Sequence, residues 1–304
     1  MNVKQLANFI SGKLKGSTVF GYHVTDTGHI VVDLSGAYRI VCDNRKLLGE
    51  LELHSLNDLG APGATNLPEQ SLTDLRDLDF KMVEYCYRAM PASDVRYYLN
   101  GLAVYPQGKA PRPDIGMAAT DGHRLHFSSE GDWSKQPVVI PQDVIALIIK
   151  LKPQRITFGL SEDRINGGLV LQWHDDLLIV MFQMVDGKFP DIQRVIPDKK
   201  APKDKAEVAQ LKDLNEMVRV CKLTNRKYGG LRANGKYMST GDNPREVPAP
   251  LNIDWPCEQG MSAEYLRDAL KGHKKITLYH PKDANCSILL ESDTTQAVVM
   301  PMRL

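Results

Sequence analysis

The chain has few cysteines, little net charge and no long apolar run. Its five cysteines lie far apart without a C-x-x-C pair, which argues against a disulfide framework or zinc ribbon and predicts reduced thiols in the cytoplasm. A formal net charge of +1 over 304 residues excludes a generally basic nucleic-acid coat, so any DNA contact depends on how charges are arranged. The apolar run 177–182 is too short to span a bilayer. Residues 1–20 contain lysines but no continuous apolar stretch, so we expect neither a membrane segment nor a signal peptide.

Groups suited to catalysis are equally sparse. No glycine-rich loop with Lys and Ser or Thr is present to bind phosphate. His174-Asp175-Asp176 and Asp121-x-His123 offer carboxylates and imidazoles that a metal ion accepts. Because the first of these stands between two strand-like runs, a polar hairpin turn is the favoured interpretation. We expect no catalytic residue, no metal and no cofactor, and keep a metal-dependent nuclease or hydrolase as an alternative.

One unit recurs along the chain, an amphipathic helix of about three turns followed by alternating strands. The predicted helices are 3–14, 80–90, 141–151, 208–223 and 262–271. The predicted strands are 19–24, 29–34, 38–42, 95–105, 116–120, 124–128, 155–159, 168–173, 177–184, 275–279, 286–291 and 297–302. Since a helix and a sheet each bury one apolar side, two such units pack into one α+β domain. The predicted organisation is a half-domain at 1–57, a linker at 58–73, and domains at 74–192 and 193–304.

Two segments, Thr120–Leu125 and Val298–Leu304, look like walls of an apolar socket for the tail of another protein. Asp121-Gly122 predicts a tight turn, because glycine accepts a positive φ, and Asp26-Thr27-Gly28 predicts a second one. Near the last residue, Met300 and Met302 offer flexible, polarisable side chains that suit several different partners. A simple core or edge strand at 298–302 is the alternative.

Four segments resemble, in order, the bacterial DNA polymerase III β subunit, the sliding-clamp family. They are Asp94–Gly101, Ala119–Leu125, Val185–Asp191 and Val298–Leu304. The resemblance covers about 74–304 and is weak or absent over 1–73. It implies the DNA-clamp fold, with helices on the inner face of a ring around duplex DNA and sheets on the outer face, and no catalytic activity. Residues 1–57 would then replace a full first domain with a truncated or divergent clamp-like half, which affects how a homo-oligomeric ring closes head to tail.

The resemblance also implies a socket for a Leu/Phe-rich linear motif of DNA polymerase and the clamp loader. Its residues are Leu99, Thr120, Gly122, His123, Arg124, Leu125, Pro190, Arg194, Val195, Tyr265, Val298, Met300, Pro301, Met302 and Arg303. Among these, Arg124, Arg194 and Arg303 are expected to hydrogen-bond the peptide backbone or an acidic side chain.

DNA contacts are expected from cations on the helices and from one loop. The candidates are Arg96, Tyr97, Tyr98, Lys81, Arg88, Lys150, Lys152, Lys212 and Arg219. These cations contact phosphates without reading sequence, although each is equally explained as part of a solvated helix face. Ser93 and Gln142-Asp143 depart from the family, which has Gln and often Arg-Lys there, and this predicts a weaker grip on DNA.

Two functions follow from these observations. The first is a cytoplasmic sliding clamp that encircles duplex DNA, slides without sequence preference and tethers a polymerase through the socket. The second is a non-ring clamp-like protein that binds the same motifs and regulates or competes for replication partners.

Overall fold

The computed structural model describes residues 1–14, 20–24, 30–34, 38–42, 72–105, 115–129, 131–133, 135–161, 165–224, 230–235, 237–240, 243–247, 249–253 and 255–303. The α-helices within these ranges are α1 (Val3–Leu14), α2 (Phe80–Tyr87), α3 (Gln142–Leu151), α4 (Leu211–Thr224) and α5 (Ala263–Leu270). Short 3-10 helices cover Tyr97–Leu99 and Ile192–Arg194. None of these helices is long and apolar enough to cross a membrane.

The strands alternate with the helices along the chain. They are β1 (Phe20–Val24), β2 (Ile30–Leu34), β3 (Tyr38–Cys42), β4 (Thr73–Asp77), β5 (Gly101–Tyr105), β6 (Gly116–Thr120), β7 (Arg124–Ser128), β8 (Val138–Pro141), β9 (Arg155–Leu160), β10 (Asn166–Gln172), β11 (Leu177–Gln183), β12 (Lys203–Glu207), β13 (Gly230–Gly235), β14 (Tyr237–Thr240), β15 (Asn243–Val247), β16 (Trp255–Ser262), β17 (Lys275–Tyr279), β18 (Ile288–Glu291) and β19 (Thr295–Val299).

The chain divides into two compact units. The first contains Met1–Glu84, Asn100–Leu102 and Val138–Gly187, and the second contains Tyr85–Leu99, Ala103–Pro137 and Lys188–Leu304. The two units reflect which residues contact one another, whereas the predicted domains reflect the recurring unit of a helix and strands. The domain boundaries at 74–192 and 193–304 therefore stay a prediction. The predicted linker 58–73 and the turn Asp26-Thr27-Gly28 lie outside the described residues, apart from positions 72 and 73.

The first unit is built on one antiparallel sheet with the order β1-β2-β3-β11-β10-β9-β4. Strand β3 connects the early strands β1 and β2 to the later strands of this sheet, because Ile40 pairs with Val180 on β11. Helix α1 packs against α3. Apolar residues recur every three or four positions on α3, and Val144, Leu147, Ile148 and Leu151 are buried, which is the spacing of a core-facing helix.

The second unit contains two sheets and the helix pair α4 and α5. Its larger sheet has the order β12-β17-β18-β19-β7-β6-β5, and its smaller one the order β15-β14-β13-β16. Strand β19 lies in the middle of the larger sheet and all its residues are buried. Ser262 caps α5 by accepting the backbone N–H of Tyr265, which fixes the start of that helix.

Several predicted element boundaries were wrong for identifiable reasons. The strand predicted over 95–105 is confined to 101–105, because the Asp94 carboxylate accepts the N–H of Arg96 and starts a turn. The helix predicted from 208 begins at Leu211, since the backbone of Val208 bonds Lys274 instead.

At two chain positions proline sets the boundary. The helix predicted over 80–90 ends at Tyr87. Pro91 follows a few residues later and disfavours helical backbone in the residue before it. The strand predicted over 297–302 ends at Val299, because Pro301 has no N–H to continue the ladder.

Candidate partner-binding site

The turn between β6 and β7 is held by its own side chains. Gly122 has a φ of +86°, the left-handed conformation that glycine adopts most readily. The Thr120 hydroxyl accepts the N–H of Gly122 at 3.0 Å and donates to the carbonyl of Arg124 at 2.6 Å. The Asp121 carboxylate accepts the N–H groups of His123 and Arg124 at 2.9 and 3.0 Å. The predicted tight turn is therefore confirmed, and its geometry is fixed without any ligand.

Arg124 connects this turn to helix α5. Its Nε lies 3.0 Å from a carboxylate oxygen of Asp121, and its Nη1 lies 2.7 Å from one of Asp268. The guanidinium carbon also sits 4.4 Å from the centre of the Tyr265 ring. The Arg124 side chain is only 10% exposed. Its donors are thus engaged within the chain, and Arg124 acts here on the position of the turn.

Arg96 holds the turn from the opposite side. Its guanidinium donates to the carbonyl of Asp121 at 3.0 Å and to both carboxylate oxygens of Asp94 at 2.9 and 2.6 Å. These bonds lower the pKa of Asp94 to about 2. A Cβ added to Gly122 would lie 2.7 Å from Arg96 Nη1. The loop that carries Tyr97 and the turn of the proposed socket are therefore in direct contact.

The last residues continue from the sheet towards the solvent. On β19, Val298 pairs with Leu125 and Val299 pairs with Arg124. The Met300 N–H then donates to the His123 carbonyl at 3.0 Å. Two residues later, Met302 donates to the carbonyl of Gly260 on β16 at 2.9 Å. Met300 is 40% exposed, whereas Val298 and Leu125 are buried below it.

Met300 forms part of an open hollow of about 850 Å³, which we call the socket. All residues of the socket belong to the second unit. They are Arg194, Val195, Ile196, Pro197, Asp198, Lys200, Ala201, Pro202, His280, Pro281, Lys282, Cys286, Ser287 and Met300. Val195 is 44% exposed, so this aliphatic side chain and the Met300 thioether offer apolar surface to a ligand. Backbone bonds in the 3-10 helix, such as the Val195 N–H to the Ile192 carbonyl at 3.1 Å, hold that wall.

The structure brings only some of the predicted socket residues together. Arg194, Val195 and Met300 line the hollow, whereas His123 lies outside the lining and only its carbonyl accepts the Met300 N–H. Leu99, Leu125 and Val298 are buried and lie outside the lining. The remaining predicted residues lie outside the lining: Thr120 is buried, and the exposed or half-buried ones are Gly122, Arg124, Pro190, Tyr265, Pro301, Met302 and Arg303.

Sequence reasoning missed the wall built by 196–202 and 280–287. A usable signal was present, because Pro197, Pro202 and Pro281 are apolar side chains placed among lysines. What brings the two segments together is the pairing of β12 with β17, where Lys203 lies opposite Tyr279.

The candidate DNA contacts differ in how free their charges are. Arg88 donates to the Lys271 carbonyl at 2.7 Å, and Arg219 forms an ion pair with Glu216 on the same helix. The exposed lysines among the candidates are Lys81, Lys150, Lys152 and Lys212. Tyr97 and Tyr98 lie edge to face with ring centres 5.8 Å apart, and Tyr97 is exposed.

The segment His174–Asp176 is a hairpin turn, as predicted. The Trp173 N–H donates to the Asp176 carbonyl at 2.9 Å, directly between the paired strands β10 and β11. Within the described ranges, no group of three or more His, Cys, Asp or Glu side chains is arranged to hold a metal ion.

Comparison with known proteins assigns the relationship. No protein-family model matches the chain. The β sliding clamp of Pseudomonas aeruginosa is 31% identical over 247 residues, which are 74% of this chain and 63% of that protein. The β sliding clamp of Salmonella typhimurium is 27% identical over 300 residues, 90% of this chain and 76% of that protein. The chain is thus similar in sequence to bacterial β sliding clamps.

Solved sliding clamps have the same fold. A DNA polymerase sliding clamp from Pseudomonas aeruginosa aligns with a TM-score of 0.67 at 20% identity, over 100% of this chain and 99% of that one. A sliding clamp from Bartonella birtlesii, bound to griselimycin, aligns with a TM-score of 0.68 at 18% identity, over 100% and 99%. The predicted α+β clamp fold is thereby confirmed. The aligned part of the chain spans 63% of the length of the clamps from Pseudomonas aeruginosa and Vibrio cholerae.

Proposed function

We propose that this chain is a DNA sliding clamp, a replication processivity factor without enzymatic activity. It encircles duplex DNA and tethers DNA polymerase, the clamp loader and other partners through the socket. Tethering raises the local concentration of the polymerase at the primer end, and no bond is made or broken. The same proposal includes a homo-oligomeric ring, a cytoplasmic location, and clamp domains at 74–192 and 193–304.

One observation carries the proposal. Exposed Val195 and Met300 line one hollow, and the Met300 N–H bonds the His123 carbonyl in the glycine turn, which supports a partner site here. Such a hollow suits the Leu and Phe side chains of a linear motif, and each well-buried anchor contributes about 2 kcal/mol or more. Two arginines fix the turn beside the hollow, so the site is pre-organised and little ordering is required on binding.

A second candidate is a non-ring clamp-like protein that binds the same motifs and competes for replication partners. The charges favour it, because Arg88 and Arg219 are engaged within the chain and Asp143 lies in the first turn of α3. Fewer phosphate contacts weaken non-specific DNA binding.

Retention on circular DNA separates the two candidates. The chain is loaded onto a nicked circular plasmid by a bacterial clamp loader with ATP, isolated by gel filtration, and the plasmid is then linearised. A clamp elutes with the circle and is released after linearisation, while its mass by light scattering is that of a dimer or trimer. A monomer that binds a Leu/Phe-rich peptide but never stays on the circle supports the non-ring protein instead.

A further inference from the structure

We infer that the socket selects partner motifs in which the apolar anchor is flanked by acidic residues. This inference rests on the proposed function and specifies the partner. It starts from the socket's charged residues, which include three cations, Arg194, Lys200 and Lys282, and one carboxylate, Asp198. With His280 counted as neutral, the socket lining therefore has a formal excess of positive charge.

The single carboxylate of the lining is committed to the backbone. Asp198 accepts the N–H of Lys200 at 2.9 Å, and its carbonyl accepts the N–H of Ala201 at 3.1 Å. This is the bonding of a turn that the aspartate itself stabilises. Asp198 thus shapes the wall, and neither of these bonds neutralises the Lys200 ammonium.

Two acidic side chains next to the socket already have partners, one of them within the lining. Asp204 lies 2.6 Å from Nε2 of His280. Glu291 accepts hydrogen bonds from Lys199, from the Tyr279 hydroxyl and from Gln296. Asp283, next to Lys282 in sequence, accepts the N–H of Asn285. Within the described residues, none of these three carboxylates forms an ion pair with Lys200 or Lys282.

The two lysines of the lining are open to a ligand. Both are exposed, and in the part of the chain that the structure describes neither Lys200 nor Lys282 forms an ion pair. Arg194 is 83% exposed, and among the described residues its ion-pair partner is the neighbouring Asp191 at 3.3 Å. A peptide whose Leu or Phe enters beside Val195 and Met300 would have its flanking residues next to these cations. Charge complementarity of this kind favours Asp and Glu at the flanks, speeds association and disfavours basic partners.

Fluorescence anisotropy with the full chain tests this selection. Three labelled peptides share a Leu-Leu-Phe anchor and carry Asp, Asn or Lys triplets on both sides. At about 50 mM salt we expect the Asp peptide to bind about tenfold tighter than the Asn peptide and the Lys peptide to bind weakest, because each exposed pair contributes about twofold to fivefold. At about 300 mM salt the advantage of the Asp peptide shrinks as screening increases.

Matched variants locate the effect. The double variant Lys200→Gln, Lys282→Gln should lose most of the preference for the Asp peptide over the Asn peptide. The control Lys274→Gln, Lys275→Gln removes the same charge from exposed positions outside the socket and should keep the preference.

The outcomes distinguish this inference from the proposed function. Equal binding of the Asp and Asn peptides by the unmodified chain overturns the acidic selection and leaves the socket in place. Failure of all three peptides to bind overturns both. If the Lys200, Lys282 variant keeps its peptide preference but loses retention on circular DNA, these lysines serve nucleic acid and the inference is wrong.

Discussion

The backbone N–H of Met300 donates to the carbonyl of His123 at 3.0 Å. This bond joins the last residues of the chain to the glycine turn between β6 and β7. Asp121 of this turn also accepts hydrogen bonds from the Arg96 and Arg124 side chains. These bonds link the glycine turn to Met300 in the socket lining.

Met300→Asp should reduce binding of a Leu/Phe-rich peptide by about 30-fold or more, because it places a carboxylate where an apolar anchor is desolvated. Fluorescence anisotropy measures the affinity, and thermal melting should change little since Met300 is 40% exposed. Leu211→Asp is the matched control, as Leu211 is 45% exposed and lies outside the socket. Unchanged affinity in the Met300 variant would refute the socket.

Gly122→Ala should destabilise the chain more than Gly272→Ala. Both glycines have a positive φ, +86° and +97°, so both substitutions strain the backbone by about 1–2 kcal/mol. Only Gly122 has the Arg96 guanidinium within contact of an added Cβ, whereas Gly272 faces open space. Displacing Arg96 breaks its bond to Asp121 and adds about 1 kcal/mol.

Urea denaturation gives both free energies of unfolding. Arg96→Ala in the Gly122→Ala background should then have little further effect on the turn's stability. A result in which the two glycine variants are equally stable would mean that Arg96 does not restrain the turn.

Arg124 and Asp268 should be strongly coupled in a double-mutant cycle. Both side chains are nearly buried, at 10% and 12% exposure, and lie 2.7 Å apart. Removing either one leaves a buried charge with fewer partners, so Arg124→Ala and Asp268→Asn should each destabilise by about 2–4 kcal/mol. We expect a coupling energy of about 1–3 kcal/mol by urea denaturation.

The exposed pair Arg219 and Glu216 provides the control cycle. It is an ion pair between the same two chemical groups on one helix face, and solvent screens it. Its coupling should be close to zero. A coupling of the Arg124 pair no larger than this control would show that the network does not hold the turn.

His126 should make stability fall as the pH drops below about 6.5. It is fully buried, its Nδ1 donates to the Tyr85 carbonyl at 2.9 Å, and its ring stacks on Tyr85. Burial, aided by Arg124 and Arg88 and opposed by the Tyr85 bond and by Asp268, lowers its pKa from 6.5 to about 3. Between these two pKa values the unfolded chain binds a proton at His126 and the folded chain does not. The free energy of unfolding therefore decreases by about 1.4 kcal/mol per pH unit as the pH falls through this range.

Urea titrations at pH 8, 6.5 and 5 test this slope. The unmodified chain should lose about 2 kcal/mol between the last two values from His126 alone. His126→Gln should be less stable at pH 8 but lose less on acidification. An identical slope in the variant would assign the acid sensitivity to other groups, such as His273, whose pKa burial also lowers.

Much of the fold could be predicted because local patterns and tertiary packing agree. Helix α1 has the predicted bounds Val3–Leu14, and Ser262 marks the start of α5 as its cap. The segment 95–100 was mistaken for a strand, since its alternating residues suit one. The side chain of Asp94 overrides that preference by bonding the backbone of Arg96.

The candidate site was only partly predictable. Met300, Val195 and the turn at Gly122 stand out in sequence by chemistry or by glycine. The cationic wall does not, because Lys200 and Lys282 are far apart along the chain and meet only through the pairing of β12 with β17. The sequence also does not reveal that Arg124 bonds Asp268, because the two residues are 144 positions apart in the chain.

The pairing of β3 with β11 also bears on synthesis. Strand β3 pairs on one side with β11, at residues 177–183. That edge of β3 therefore has no partner while the ribosome synthesises the residues between the two strands. An unpaired strand edge invites association with other chains. During synthesis the edge of β3 is therefore exposed to pairing with other chains until residues 177–183 have been made.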